Sequence, residues 1–210
     1  MIAQQQQEAD TGTRTLPPLG DAWAHICVDM QRLFAEETDW HTPWLKRVLP
    51  AVSRLVAHAP ERTIFTRFIP AEHTGEGEGT WRRYYQRWPS MTIERLGPEK
   101  VELVPELERF VPPARMFDKR VYSPWLDGHL QHELEERGVD TLVVTGGETD
   151  VCVLTTVLGA IDRGYRIVMA MDGLCSSADS THDALLHLYE SRFGQQVEMA
   201  RIDEIIAATL

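Results

Sequence analysis

Uninterrupted apolar runs constrain this chain more than any other feature. Ala24–Val28 (AHICV), Thr141–Val144 (TLVV) and Arg166–Met171 (RIVMAM) carry almost no polar face. A strand of that kind is buried on both sides, so helices must cover it above and below. Helical spacing supplies them. Trp44, Leu45, Val48, Leu49, Val52, Leu55 and Val56 recur every three or four residues. They follow Thr42-Pro43, which reads as a cap and a first-turn proline, while Pro50 predicts a kink or a late start. Further strands are predicted at Arg62–Phe68, Arg115–Tyr122 and Gln196–Ala200, and further helices at Leu126–Arg137, Val151–Arg163, Ser180–Ser191 and Ile202–Leu210. Val101–Phe110 reads as a short strand or a turn of helix. Strand and helix alternate along nearly the whole chain without an internal repeat, which predicts an α/β fold around a parallel sheet.

Such sheets place their ligand site beyond the carboxyl ends of the strands. Three unlike reactive groups fall there: Asp29 after the first run, Lys119 near the end of the third strand, and Cys152 after Thr141–Val144. Around Cys152 the chain reads TGGETDVCVLTTVLGAIDRGY, Thr145 to Tyr165. Its two glycines permit a tight turn and put the cysteine in the first turn of a helix, where free N–H groups and the helix dipole favour a thiolate. Taken singly, each residue has a plainer reading. An aspartate ending a strand often caps a loop, a lysine after Phe117-Asp118 can pair with Asp118, and a cysteine in a helix is commonly packing. One shared rim changes the balance. A carboxylate can take the thiol proton, an ammonium favours both anions, and helix-start N–H groups can hold an oxyanion. That chemistry is acyl transfer to cysteine followed by hydrolysis.

The formal net charge of −11 argues against a nucleic-acid partner. Arg82, Arg83 and Arg87 form the one basic cluster and are diluted by nearby glutamates. No apolar run approaches membrane-spanning length, so no membrane partner is expected. Residues 1–20, with Gln4 to Gln7 in a row and Pro17-Pro18, read as a disordered or extended tail before one domain over 21–210. Three cysteines without a CxxC or Cys/His spacing point to reduced thiols in a cytoplasmic protein rather than to zinc. Trp81 to Trp88 packs four aromatics into eight residues, either as a cover for the sheet edge or as a pocket wall.

Three segments in order carry a resemblance: VDMQRLF from Val28, FDKRVYSPW from Phe117, and TGGETDVCVLTTVLGAIDRGYRIVMAMD from Thr145. Across about residues 23–200 the chain resembles the isochorismatase-like cysteine hydrolase superfamily. The resemblance implies a three-layer α/β/α sandwich, Rossmann-like, around a mostly parallel sheet of about six strands. It implies Asp29 as general base, Lys119 as the cation that holds the pair, and Cys152 as the nucleophile that forms a thioester. It also maps a non-proline cis peptide to Gly147–Glu148, with the N–H groups of Glu148 and Cys152 as the oxyanion hole. Phe34, Trp81, Tyr122, Trp125 and Glu148 become pocket candidates, and the aromatic content favours a small planar or partly apolar substrate. Cys27 and Cys175 read as packing residues. Metal-holding relatives use an Asp and two histidines after the second strand; TRFIPAEHTGEGEG here has His73 alone, so no metal and no cofactor are expected. Cys152 shifts the reading toward a small amide or ureide substrate. Alternatives are vinyl ether hydrolysis of the isochorismatase type driven by Asp29, or a catalytically silent binding member. A homo-oligomer is implied by the resemblance alone. Glu148 stands where a small or hydroxyl residue is common. If it faces the pocket it favours a donor or cationic substrate, and if it is paired with an arginine it is structural.

Overall fold

Each apolar run forms a strand in a computed structural model, which describes residues 16–210. Of the expected tail, residues 1–15 lie outside the described residues; Leu19 is buried, and its N–H bonds to Ala208 O. The strands are β1 (Trp23–Val28), β2 (Thr63–Phe68), β3 (Arg115–Lys119), β4 (Thr141–Gly147), β5 (Arg166–Cys175) and β6 (Val197–Ala200). All neighbouring pairs run parallel, in the order β3-β2-β1-β4-β5-β6. The chain thus builds outward from β1 to one edge, returns to β4 beside β1, and builds to the other edge. The gap between β1 and β4 is the topological switch, where a site is expected.

Helices α1 (Leu45–His58), α2 (Trp81–Arg87), α3 (His129–Glu136), α4 (Leu154–Ile161), α5 (Asp179–Arg192) and α6 (Ile202–Ala208) complete the elements used below. One sheet face, with Ile26, Val28, Leu142, Val144 and Ile167, packs on Leu130 and Leu134 of α3, Val157 and Ala160 of α4, and Tyr189 of α5. The opposite face packs on α1 and α6, with Val52 and Val56 near Cys27 and Phe65, and Ile202 and Ile205 near Val168 and Ala170. These are the three expected layers around six parallel strands. Among the described residues no helix is long and apolar enough to cross a membrane.

Local boundaries differ for physical reasons. Helix α1 begins at Leu45 rather than at Thr42-Pro43, because Thr42 is buried and its N–H is bonded to Phe34 O. Pro50 stays within the helix at an exposed position, so its missing donor is felt on the wet face. Leu126 was expected on the apolar stripe of Leu130 and Leu134. It is 78% exposed instead, because left-handed Gly128 starts α3 only at His129.

Candidate active site

Asp29 leaves β1 with φ at +50°, the one positive value at a non-glycine position among the described residues. A regular strand would put Asp29 on the same face as Cys27; the left-handed residue swings the carboxylate out of that alternation. Aspartate tolerates this conformation better than most side chains. Thr66 at the neighbouring end of β2 holds it there. Thr66 Oγ1 donates to Asp29 Oδ1 at 2.6 Å, and Thr66 O accepts the Asp29 N–H at 3.1 Å. Two residues on, the buried Gln31 amide bridges the ends of the strands: its Oε1 accepts from Phe68 N at 2.7 Å, and its Nε2 donates to Phe68 O at 3.0 Å and to Val101 O at 2.7 Å.

Lys119, the last residue of β3, places its Nζ 2.7 Å from Asp29 Oδ2 and 3.4 Å from Cys152 Sγ. Asp118 is not its partner; that carboxylate takes Arg67 in a forked pair at 2.8 and 2.9 Å. The Lys119–Asp29 pair is almost fully buried, at 3% and 0% side-chain exposure. Burial works against the ammonium, but the charge of Asp29 and the thiol beside it outweigh that and hold Lys119 above its ordinary range.

Cys152 follows β4 across Gly146 and Gly147. Gly146 has φ +102°, and a Cβ there would lie 2.0 Å from Val28 O of β1, so only glycine lets the two strand ends meet. The Gly147–Glu148 peptide bond is cis. The turn at Thr149–Val153 is a π-helical turn that runs into α4. Glu148 O accepts from the N–H groups of Val151 and Val153, both at 3.1 Å.

One expectation needs correction. The helix start was expected to favour a thiolate, yet the Cys152 thiol sits well above its usual range. Burial is the main cause, the charge of Asp29 adds to it, and Lys119 opposes it only in part. Local helix geometry is outweighed by tertiary burial. The thiol thus stands beside a buried aspartate–lysine pair, with Lys119 Nζ 3.4 Å from its sulfur. Cys27 and Cys175 are fully buried; burial pushes Cys27 up to about 12 and Cys175 higher still. Of the three, Cys152 alone opens on the cavity.

That cavity holds about 280 Å³ over the thiol. Rings of Phe34, Trp40, Phe68, Tyr84, Trp88 and Tyr122 form most of its wall. Phe34, Tyr122 and Glu148 are thus where the sequence places them. Trp81 and Trp125 are not. Trp81 packs behind the wall, 4.9 Å from Tyr122 and 5.2 Å from Tyr84 between ring centroids. Trp125 faces the core: it stacks on Tyr165, lies against Gly159, and donates its Nε1–H to Thr156 O at 2.9 Å. Sequence reading missed Thr66, Gln31, Trp40, Tyr84 and Trp88. The last two lie in the aromatic segment already noted, one helical turn apart on α2 and its C-cap. Glu148 has no arginine partner among the described residues; its Oε1 accepts the Ser177 N–H at 2.8 Å. Among the described residues no three His, Cys, Asp or Glu side chains gather closely enough to hold a metal ion, and His73 is exposed against Glu94.

A switch-point cavity with a thiol on its floor and a buried carboxylate–ammonium pair beneath it marks a recognisable class of α/β protein. The isochorismatase domain model matches residues 23–201, and the chain belongs to that family. Nicotinamidase 3 of Arabidopsis thaliana is 28% identical over 178 residues, covering 83% of each chain. A probable inactive nicotinamidase of the same plant is 26% identical over 170 residues, 77% of this chain and 84% of that one. Among solved structures, a cysteine hydrolase from Pseudomonas syringae pv. phaseolicola superposes with a TM-score of 0.75 at 23% identity, covering 93% and 94% of the two chains.

Proposed function

We propose that the protein hydrolyses a small amide or ureide through a thioester on Cys152. The observation that carries this reading is the contact chain Asp29–Lys119–Cys152, with 2.7 and 3.4 Å links, whose cysteine opens on a cavity. Asp29 takes the thiol proton as sulfur attacks the carbonyl carbon. The raised thiol suits this order, since the proton leaves only when the attack creates the need. The N–H groups of Glu148 and Cys152, on the turn that follows the cis peptide, serve in this reading as donors to the oxyanion. The C–N bond breaks, Asp29 returns the proton to the leaving nitrogen, and water, deprotonated by Asp29, cleaves the thioester to acid and free thiol. Lys119, with Nζ 2.7 Å from Asp29 Oδ2, holds the carboxyl group in place throughout. Similarity to a nicotinamidase over most of the chain supports amide chemistry.

The test is a screen of small amides and ureides with the wild type and Cys152→Ala, followed by intact-mass detection of an acyl adduct. The alanine variant is expected to lose turnover by about 10⁴-fold or more. Substantial residual turnover would instead remove Cys152 as the nucleophile. A wild type that turns over nothing and forms no adduct would sink the hydrolase reading in favour of a silent binding member.

A further inference from the structure

We infer that the cavity selects a substrate whose non-reacting end carries one positive charge close to the reacting carbonyl, such as an aromatic amide bearing a protonated aminomethyl group. This rests on the reading of Cys152 as the attacking group, because the charge is placed relative to that sulfur.

Two carboxylates, Asp39 and Glu148, lie on the wall, and neither is neutralised by a cation among the described residues. Asp39 accepts only the Ser90 hydroxyl, and Glu148 only the Ser177 N–H. The other oxygen of each takes no hydrogen bond from any described residue. Lys119 does not offset them, since its charge is committed to Asp29 beneath the floor. Apart from the imidazole of His41, no basic side chain among the described residues lines the cavity. Arg87 sits 4.5 Å from the Trp88 ring centre but is not part of the lining; that contact shows this indole accepting a planar cation.

The aromatic wall reinforces the same sign. Indole and phenol faces attract a cation through their quadrupole and offer nothing comparable to an anion. A neutral apolar ligand gains ring contact but strips water from two carboxylates without replacing it. A dicarboxylate such as isochorismate meets repulsion from both. Position narrows the class further. Glu148 supplies a proposed oxyanion donor through its backbone and a wall carboxylate through its side chain. The favoured positive charge therefore lies within one side-chain length of the scissile carbonyl, a span that a single ring provides.

Three amides of near-identical shape test this by calorimetry on Cys152→Ala, which binds without turnover: 3-(aminomethyl)benzamide, 3-(hydroxymethyl)benzamide and 3-carbamoylbenzoate. The ammonium is expected to bind about tenfold tighter than the hydroxymethyl isostere, and the carboxylate no tighter than it. Adding Glu148→Gln should cut the ammonium-to-hydroxymethyl ratio about threefold or more. Asp39→Asn, on the exposed rim, provides the same readout if the first variant folds poorly. Equal affinities, a preference for the carboxylate, no binding of any at millimolar concentration, or a ratio untouched by both variants would overturn the inference. An ammonium preference without an acyl adduct on wild-type Cys152 would keep this inference and remove the hydrolase reading. An adduct without a charge preference would do the reverse.

Discussion

The floor and the wall of the cavity are built in opposite ways. Asp29, Lys119 and Cys152 stand at or just past the ends of β1, β3 and β4, buried and partnered with one another or with Thr66. Apart from Phe68 at the end of β2, the wall comes from segments outside the sheet, among them Trp40 from a loop, Tyr84 from α2 and Trp88 just after it. Its rings are half-buried and touch one another, as Trp40 and Tyr84 do at 5.5 Å between centroids. The difference teaches a division of labour. Backbone register positions the reacting atoms, whereas side chains that answer to no register decide what lies over them.

The largest expected effect is on the floor. Asp29→Asn keeps the shape but removes the proton acceptor, so kcat on any amide the wild type hydrolyses should fall about 10³-fold. It also strands a buried ammonium, and urea unfolding should show a loss of about 3–5 kcal/mol. A variant with unchanged kcat would break the assignment of chemistry to the floor. Next comes a pair of tryptophans that the sequence does not tell apart. Trp125→Ala should lose about 3–5 kcal/mol of stability with KM little changed, because its contacts are Tyr165, Gly159 and Thr156. Trp88→Ala should raise KM about tenfold with little loss of stability. Reversed outcomes would erase the boundary between wall and core.

The smallest effect concerns the sheet beneath the floor. His25 on β1 bridges to Thr63 of β2 and Thr145 of β4, at 3.1 and 2.8 Å. Thr63 gives its own hydroxyl proton to Ala59 O, which makes His25 Nδ1 the donor and Nε2 the acceptor from Thr145. Burial lowers its pKa from 6.5 to about 3. The folded ring stays neutral where the unfolded one binds a proton. Its stabilisation is therefore complete above pH 6.5 and declines as pH falls toward 3, by about 1.4 kcal/mol per pH unit. His25→Gln should flatten that slope in urea unfolding between pH 7 and 5; an unchanged slope would place the acid sensitivity elsewhere.

Floor and wall also differ in how far the sequence reveals them. Apolar runs mark strands because both faces are buried, and residues near or beyond the carboxyl ends of the predicted strands mark the floor. Asp29, Lys119 and Cys152 were legible for that reason. Trp40, Tyr84 and Trp88 were not, since an aromatic residue reads alike whether it faces a cavity, a core or solvent. Trp125 was misplaced because its slot is opened by Gly159, on a helix more than thirty residues later. The thiol illustrates the same limit in electrostatics: the dipole of its own helix is local and readable, but the burial that outweighs it comes from the whole fold.

Gly146 gives this architecture a further consequence. Val28 O fills the space where its side chain would stand, so the strand that leads to Asp29 and the strand that leads to Cys152 are separated there by main chain alone. The spacing of the two strand ends is thereby indexed to peptide dimensions, which no rotamer change can alter. Replacements along the wall leave that spacing as it is.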